Sequence, residues 1–270
     1  MSRASAWLTR LWRAAALAAI AYAIFAPLAN LALWAVATRW YFPYKLPLVY
    51  GTRYWQQVFK PSGDAVASLR TSIVIALITV AVCLMLAMPA GYALARRRLR
   101  WRSAILAILL LPQAFPNIAV YLNVARLFYK LGLNGTIAGV VLVHAVHGLV
   151  VAVWIAAAAF AAVDGELELA ARNLGASALR TLRTVTLPLA APGLIAAAIF
   201  VFLESLDEFT GTYFVGVPDV TTLPLLMFNA SIAGNYQIAA ITALILLVPS
   251  ILFMLLIERF LDTETLARMS

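Results

Sequence analysis

Three carboxylates in an otherwise apolar stretch are the residues whose spacing first suggests chemistry. Glu204, Asp207 and Glu208 are spaced i, i+3, i+4, which on a helix puts them on one face. Such a face attracts an ammonium or another cationic group. His144 and His147 stand at i, i+3 and could hold a metal ion or relay a proton. No third ligand accompanies them, so the preferred reading is a pair of hydrogen-bonded interior histidines. Ser177 and Ser205 have polar neighbours but no Ser/His/Asp order, and no catalytic residue is expected. The chain has no G-x-x-x-x-G-K-[ST] loop, so any ATP and magnesium must be bound elsewhere. The lone Cys83 excludes both a disulfide framework and a cysteine metal site.

The elements that carry these groups are dictated by composition. Of 270 residues, 64% are hydrophobic and 11% charged, against roughly a quarter charged in soluble domains. A hydrocarbon core of about 30 Å needs roughly 20 apolar residues per helical crossing. Residues 14–38, 72–95, 103–125 and 238–257 contain no Asp, Glu, Lys or Arg, and residues 136–163 carry only the two histidines as titratable groups. A sixth run, 189–217, is interrupted by the three acids. The pattern predicts an all-α membrane protein with six transmembrane helices. Pro89, Pro112 and Pro116 predict either kinks or broken helices.

Orientation follows from the basic residues, which are retained on the cytoplasmic side. With the N-terminus inside, the inner segments hold Arg3, Arg10, Arg13, then Arg96, Arg97, Arg98, Arg100, Arg102, then Arg172, Arg180, Arg183, and finally Arg259 and Arg268. The rest lie in residues 39–70 and at Arg126 and Lys130, so the bias is clear without being absolute. The expected organisation is a cytoplasmic N-terminus at 1–13, one transmembrane domain at 14–260 and a cytoplasmic tail at 261–270. The first apolar run exceeds the roughly 7 to 15 residues of a signal-peptide core and is expected to stay as an anchor. The net charge of +9 fits anionic headgroups and topology better than nucleic acid.

In this frame Glu204 lies about 22 Å along its crossing at the helical rise, where acids are costly. The acidic face either lines a polar path, pairs with basic groups of a partner subunit, or reaches water at the outer mouth. The outer segments are recognisable too. Residues 39–70 are rich in Trp and Tyr, as suits an interface belt, and Pro218, Pro224 and Gly234 bracket a short apolar run at 223–228.

On the inner side, residues 164–188 form a charged insert between two crossings. Asp164 is a helix N-cap candidate, with Glu166 and Glu168 in the positive first turn. Leu167, Ala170, Ala171 and Leu174 make a narrow apolar stripe, and Gly175 marks its stop. A second helix can start at Ser177 and carry Arg180 and Arg183, before Pro188 opens the next membrane run. By periodicity alone, a helical loop that merely joins two spans fits equally well.

The spacing Ala170, Ala171, Gly175, Val185, Leu187, Pro188 resembles the EAA signature of ABC importer permeases of the binding-protein-dependent type. "AMPAGYALARRRL" at 87–99, "LGLNGT" at 131–136 and "LPLAAPGL" at 187–194 also look like this family, from residue 68 to the C-terminus. The resemblance implies a type I importer permease fold in the bacterial inner membrane, working with two ATP-binding subunits, a second permease (an unlike chain in preference to a second copy of this one) and an extracytoplasmic binding protein. It implies that 164–188 holds a coupling helix that docks on the ATPase. The stripe would then pack on the chain's own helices, with Glu166, Leu169, Arg172 and Asn173 outward. One departure stands out: the residue before Ala-Ala, a glutamate in the family, is Leu169, so its contact is absent or passes to Glu168 or Arg172. The stretch "FLESLDEFTGTYFVGVPDVTTLPLLMF" looks most like permeases for spermidine, putrescine and 2-aminoethylphosphonate, which implies an amine solute met by Glu204, Asp207 and Glu208. Ferric iron or thiamine import within the superfamily, or ATP-independent secondary transport, are the competing readings.

Overall fold

The computed structural model describes residues 3–60, 63–97 and 99–261, with side chains placed for residues 10–60, 63–97 and 99–255. Arg98, Arg268 and most of the expected C-terminal tail lie outside the described residues, as do the side chains of Arg3 and Arg259.

Helix α1 (Arg3–Val36) leads into a two-stranded antiparallel hairpin, β1 (Ala37–Arg39) and β2 (Val49–Tyr50), and a short α2 (Arg53–Val58). Then come α3 (Asp64–Arg96), α4 (Arg102–Ala114), α5 (Asn117–Leu131) and α6 (Ile137–Ala162). The charged insert forms α7 (Gly165–Asn173), α8 (Ala178–Thr181) and a π-helical turn, Leu182–Thr186, that runs directly into α9 (Leu187–Asp207). The chain finishes with α10 (Thr210–Val215), α11 (Leu223–Ile232) and α12 (Tyr236–Leu261).

Among the described residues five helical stretches are long and apolar enough to cross a membrane: Arg10–Val36, Asp64–Arg96, Ile137–Ala162, Ala178–Asp207 and Tyr236–Leu255. The remaining expected crossing is not a single rod. α4 and α5 meet at 94°, giving six spans only if the bent pair counts as one. The break has a local cause. Phe115 precedes Pro116 and is extended (φ −101°, ψ 150°), as the proline ring demands of its neighbour. Pro89 and Pro112, by contrast, are accommodated inside α3 and α4.

The chain divides into two compact units, Met1–Val66 with Met227–Ile245, and Ala67–Leu226 with Leu246–Ser270. In the first, the aromatic segment after α1 packs through its rings: Trp34 stacks on Trp40 at 4.2 Å, and Tyr236 lies 5.2 Å from Trp34. The second unit is built on α6 and α9, which share the most extensive helix contact among the described residues. They run antiparallel and close because small residues face each other. A Cβ on Gly193 would fall 2.5 Å from that of Ala159, and one on Gly148 3.2 Å from Val201. α3 adds to the same core, where a Cβ on Gly91 would come within 2.8 Å of Ala156. Around these contacts pack Ala87, Val153, Phe160, Leu194 and Val201, all buried.

Candidate functional site

The insert folds as a helix, a glycine turn and a second helix. The Asp164 carboxylate accepts the Glu166 amide at 3.0 Å, as an N-cap does. Gly175 adopts φ +87°, a left-handed conformation that costs a β-carbon-bearing residue about 1 kcal/mol or more, and it ends α7. Ser177 caps α8 by accepting the Arg180 amide at 3.3 Å. Pro188 does not open a new helix. From Ala178 to Asp207 the chain is continuous, with the π turn inside it and Pro188 absorbed in the first turn of α9.

The orientation of α7 corrects the expectation of an inward apolar stripe. Leu167 and Ala170 are exposed and Leu174 is 90% exposed, while the one buried side chain of the helix is Glu168. Two donors converge on Glu168 Oε1, Arg96 Nε at 3.1 Å and Thr186 Oγ1 at 2.9 Å, and Arg96 Nη2 lies 3.0 Å from the same oxygen in the ion pair. Arg96 Nη2 also donates to the Val163 carbonyl at 2.7 Å. A carboxylate can be buried here because it is paired and hydrogen-bonded; alone it would strongly resist dehydration. The two charges also sit at favourable helix ends, Arg96 at the C-terminus of α3 and Glu168 in the first turn of α7. Glu166, Leu169, Arg172 and Asn173 are exposed, Leu169 by 52%. Ala171 is half-buried.

At the far end of α9 only Glu204 and Asp207 are helical, although Glu208 stays close enough to Glu204 for their charges to interact. The helix ends at Asp207, and Glu208 turns away with extended backbone (φ −75°, ψ 114°). Its carboxylate accepts the Gly211 amide at 2.7 Å and the Tyr121 hydroxyl at 3.0 Å. The same hydroxyl lies 2.9 Å from His147 Nδ1. A phenol has one proton; with that proton on Glu208, the imidazole donates through Nδ1. His144 bridges Ser205 at 2.8 Å and Thr212 at 2.9 Å, joining α6 to α9 and α10. Both histidines are thus hydrogen-bonded interior groups. Glu204 is half-buried and Asp207 exposed, and neither has an ion-pair partner among the described residues.

Sequence reading missed two members of these side-chain clusters. Arg96 was legible only as one arginine in a basic run, and Tyr121 only as part of an apolar one. Their partners lie 72 and 87 residues away, a separation at which no local pattern operates.

Residues 87–264 match the family of binding-protein-dependent transport system inner membrane components. The chain is 34% identical over 207 residues to a putative ABC transporter permease protein of Streptomyces antibioticus, covering 76% of this chain and 90% of that one. It is 30% identical over 204 residues to a trehalose transport system permease of Mycobacterium tuberculosis, covering 73% and 74%. To a putative 2-aminoethylphosphonate transport system permease of Salmonella typhimurium it is 28% identical over 199 residues, covering 73% and 75%. Among solved structures, a bacterial ABC transporter involved in the import of the acidic polysaccharide alginate superposes with a TM-score of 0.72 at 18% identity, over 97% of this chain and 99% of that one, a likeness of fold.

The chain belongs to the family of binding-protein-dependent transport system inner membrane components. It is a permease subunit of an ABC importer, a transport component rather than an enzyme, and the family implies an ATP-binding subunit and a substrate-binding protein as partners.

Proposed function

We propose that this permease passes a small amine, of the polyamine or 2-aminoethylphosphonate kind, across the bacterial inner membrane with both its termini cytoplasmic. The observation that carries the solute class is the pair Glu204 and Asp207, carboxylates at the end of a membrane helix without an ion-pair partner among the described residues. Carboxylates so placed favour the ammonium group that polyamines and 2-aminoethylphosphonate share. The similarity to a 2-aminoethylphosphonate permease agrees with this reading, whereas the trehalose relative has the higher identity. Glu208 contributes by capping the turn and holding Tyr121.

In this reading α7 is the coupling helix. A short helix with exposed Leu167 and Leu169, and with exposed Leu174 at its C-cap, suits an apolar groove on an ATP-binding subunit, with Glu166, Arg172 and Asn173 at its polar rim. The ATPase binds ATP and magnesium, and its closure moves α7. Gly175 lets α7 meet α8 at a sharp turn, and from Ala178 through Pro188 an unbroken helix carries the motion to the membrane. A second, unlike permease chain completes the path.

Reconstitution with the ATP-binding subunit, second permease and binding protein in vesicles tests the solute class. Uptake of labelled spermidine and 2-aminoethylphosphonate is compared with that of trehalose. Amine uptake is expected, reduced about tenfold or more in Glu204→Gln with Asp207→Asn, the scale of one lost charged hydrogen bond. Unchanged amine uptake in that variant removes these acids from the path, and uptake of trehalose alone replaces the amine by a sugar.

A further inference from the structure

Resting on the reading of α7 as the coupling helix, we infer that Arg96 and Glu168, with Thr186, are positioning residues that transmit its displacement to α3 and α9. The tie has a geometry suited to that task. Glu168 is the one buried side chain of α7 and, among the described residues, carries that helix's ion pair to the rest of the chain. The donors to its Oε1 come from two membrane helices: Arg96 is the last residue of α3, and Thr186 ends the π turn immediately before α9. Arg96 also holds the Val163 carbonyl, just before the Asp164 cap, so one guanidinium grips both the entry to α7 and its first turn.

The π turn belongs to the same device. A π-helical turn widens the helix by one residue, and such turns recur at functional positions. Here it spans Leu182–Thr186, and its last residue is the one that reaches Glu168.

The unusual Leu169 fits this division of labour. The carboxylate one position earlier is turned about 100° around the helix. It faces the chain's own arginine, leaving Glu166, Leu169, Arg172 and Asn173 on the docking side. A buried ion pair adds little stability over an apolar pair of similar volume, and its better-attested use is to specify one arrangement. That distinction separates transmission from mere support.

The test uses the assembled importer in vesicles, comparing the unaltered chain with Arg96→Met plus Glu168→Met. The double variant removes both charges together and leaves neither one buried and unpaired. It is expected to assemble with the ATP-binding subunit at the normal level and to hydrolyse ATP, while solute moved per ATP falls about tenfold or more, within the usual range of coupling between sites. Arg96→Lys, which retains a charge but not the forked contact, is expected to recover part of that ratio. Normal transport per ATP in the double variant overturns the inference, and so does its failure to assemble, which makes the pair a folding element. If the unaltered chain binds no ATP-binding subunit through α7, the coupling reading fails, and this inference with it.

Discussion

The hydroxyl of Tyr121 stands between a carboxylate and an imidazole, at 3.0 Å from Glu208 and 2.9 Å from His147. Removing it leaves the buried His147 Nδ1 and one oxygen of the half-buried Glu208 carboxylate short of a partner. Tyr121→Phe is therefore expected to destabilise the chain by about 1–3 kcal/mol, read as a lower melting temperature in detergent. The phenyl ring keeps its packing, so the loss reports on the hydroxyl alone. Single residues were legible in the sequence where their role is local. Asp164, Ser177 and Gly175 act within three residues of themselves, as caps and a turn, and each does so in the structure. Glu168 was legible as a first-turn acid but not as a buried one. Its inward direction depends on an arginine on another helix, and helical periodicity reads leucines as inward when the true inner face is ionic.

At the scale of elements, α6 and α9 owe their close approach to glycine and alanine. The Cβ that Gly193 lacks would lie 2.5 Å from Ala159 Cβ, too near for any real pair. Gly193→Ala is expected to force the helices apart at a cost of about 1–3 kcal/mol, and Ala159→Gly in the same chain is expected to restore most of it. Thermal unfolding of the two single variants and the double variant measures the coupling; strictly additive losses would show that the contact does not limit the approach. The run of apolar residues that announces α9 says nothing about this closeness, because hydropathy counts area and not shape. The break between α4 and α5 is a similar case. Pro112 and Pro116 marked the place, yet only the second breaks the helix, since Phe115 is extended while Pro112 sits inside α4.

For the whole molecule, the arrangement of basic residues predicts that α7 lies on the cytoplasmic side and the end of α5 outside. Cysteines at Leu174 and Tyr129, 90% and 79% exposed, test this with an impermeant maleimide. Leu174→Cys is expected to label only in inside-out vesicles and Tyr129→Cys only in right-side-out ones. The native Cys83 is buried and should contribute little background. Labelling of both from one side would overturn the topology. What the sequence determined by itself was the material of this protein: membrane spans, caps, the glycine turn and the absence of a nucleotide loop. These depend on run length, on neighbours within one helical turn, or on a contiguous motif. Tertiary structure alone decided which charge meets which: Arg96 with Glu168, and Glu208 turned out of α9 toward Tyr121. Those pairings arise from the faces that helices present once packed, and chain order does not encode contacts made across 72 or 87 residues.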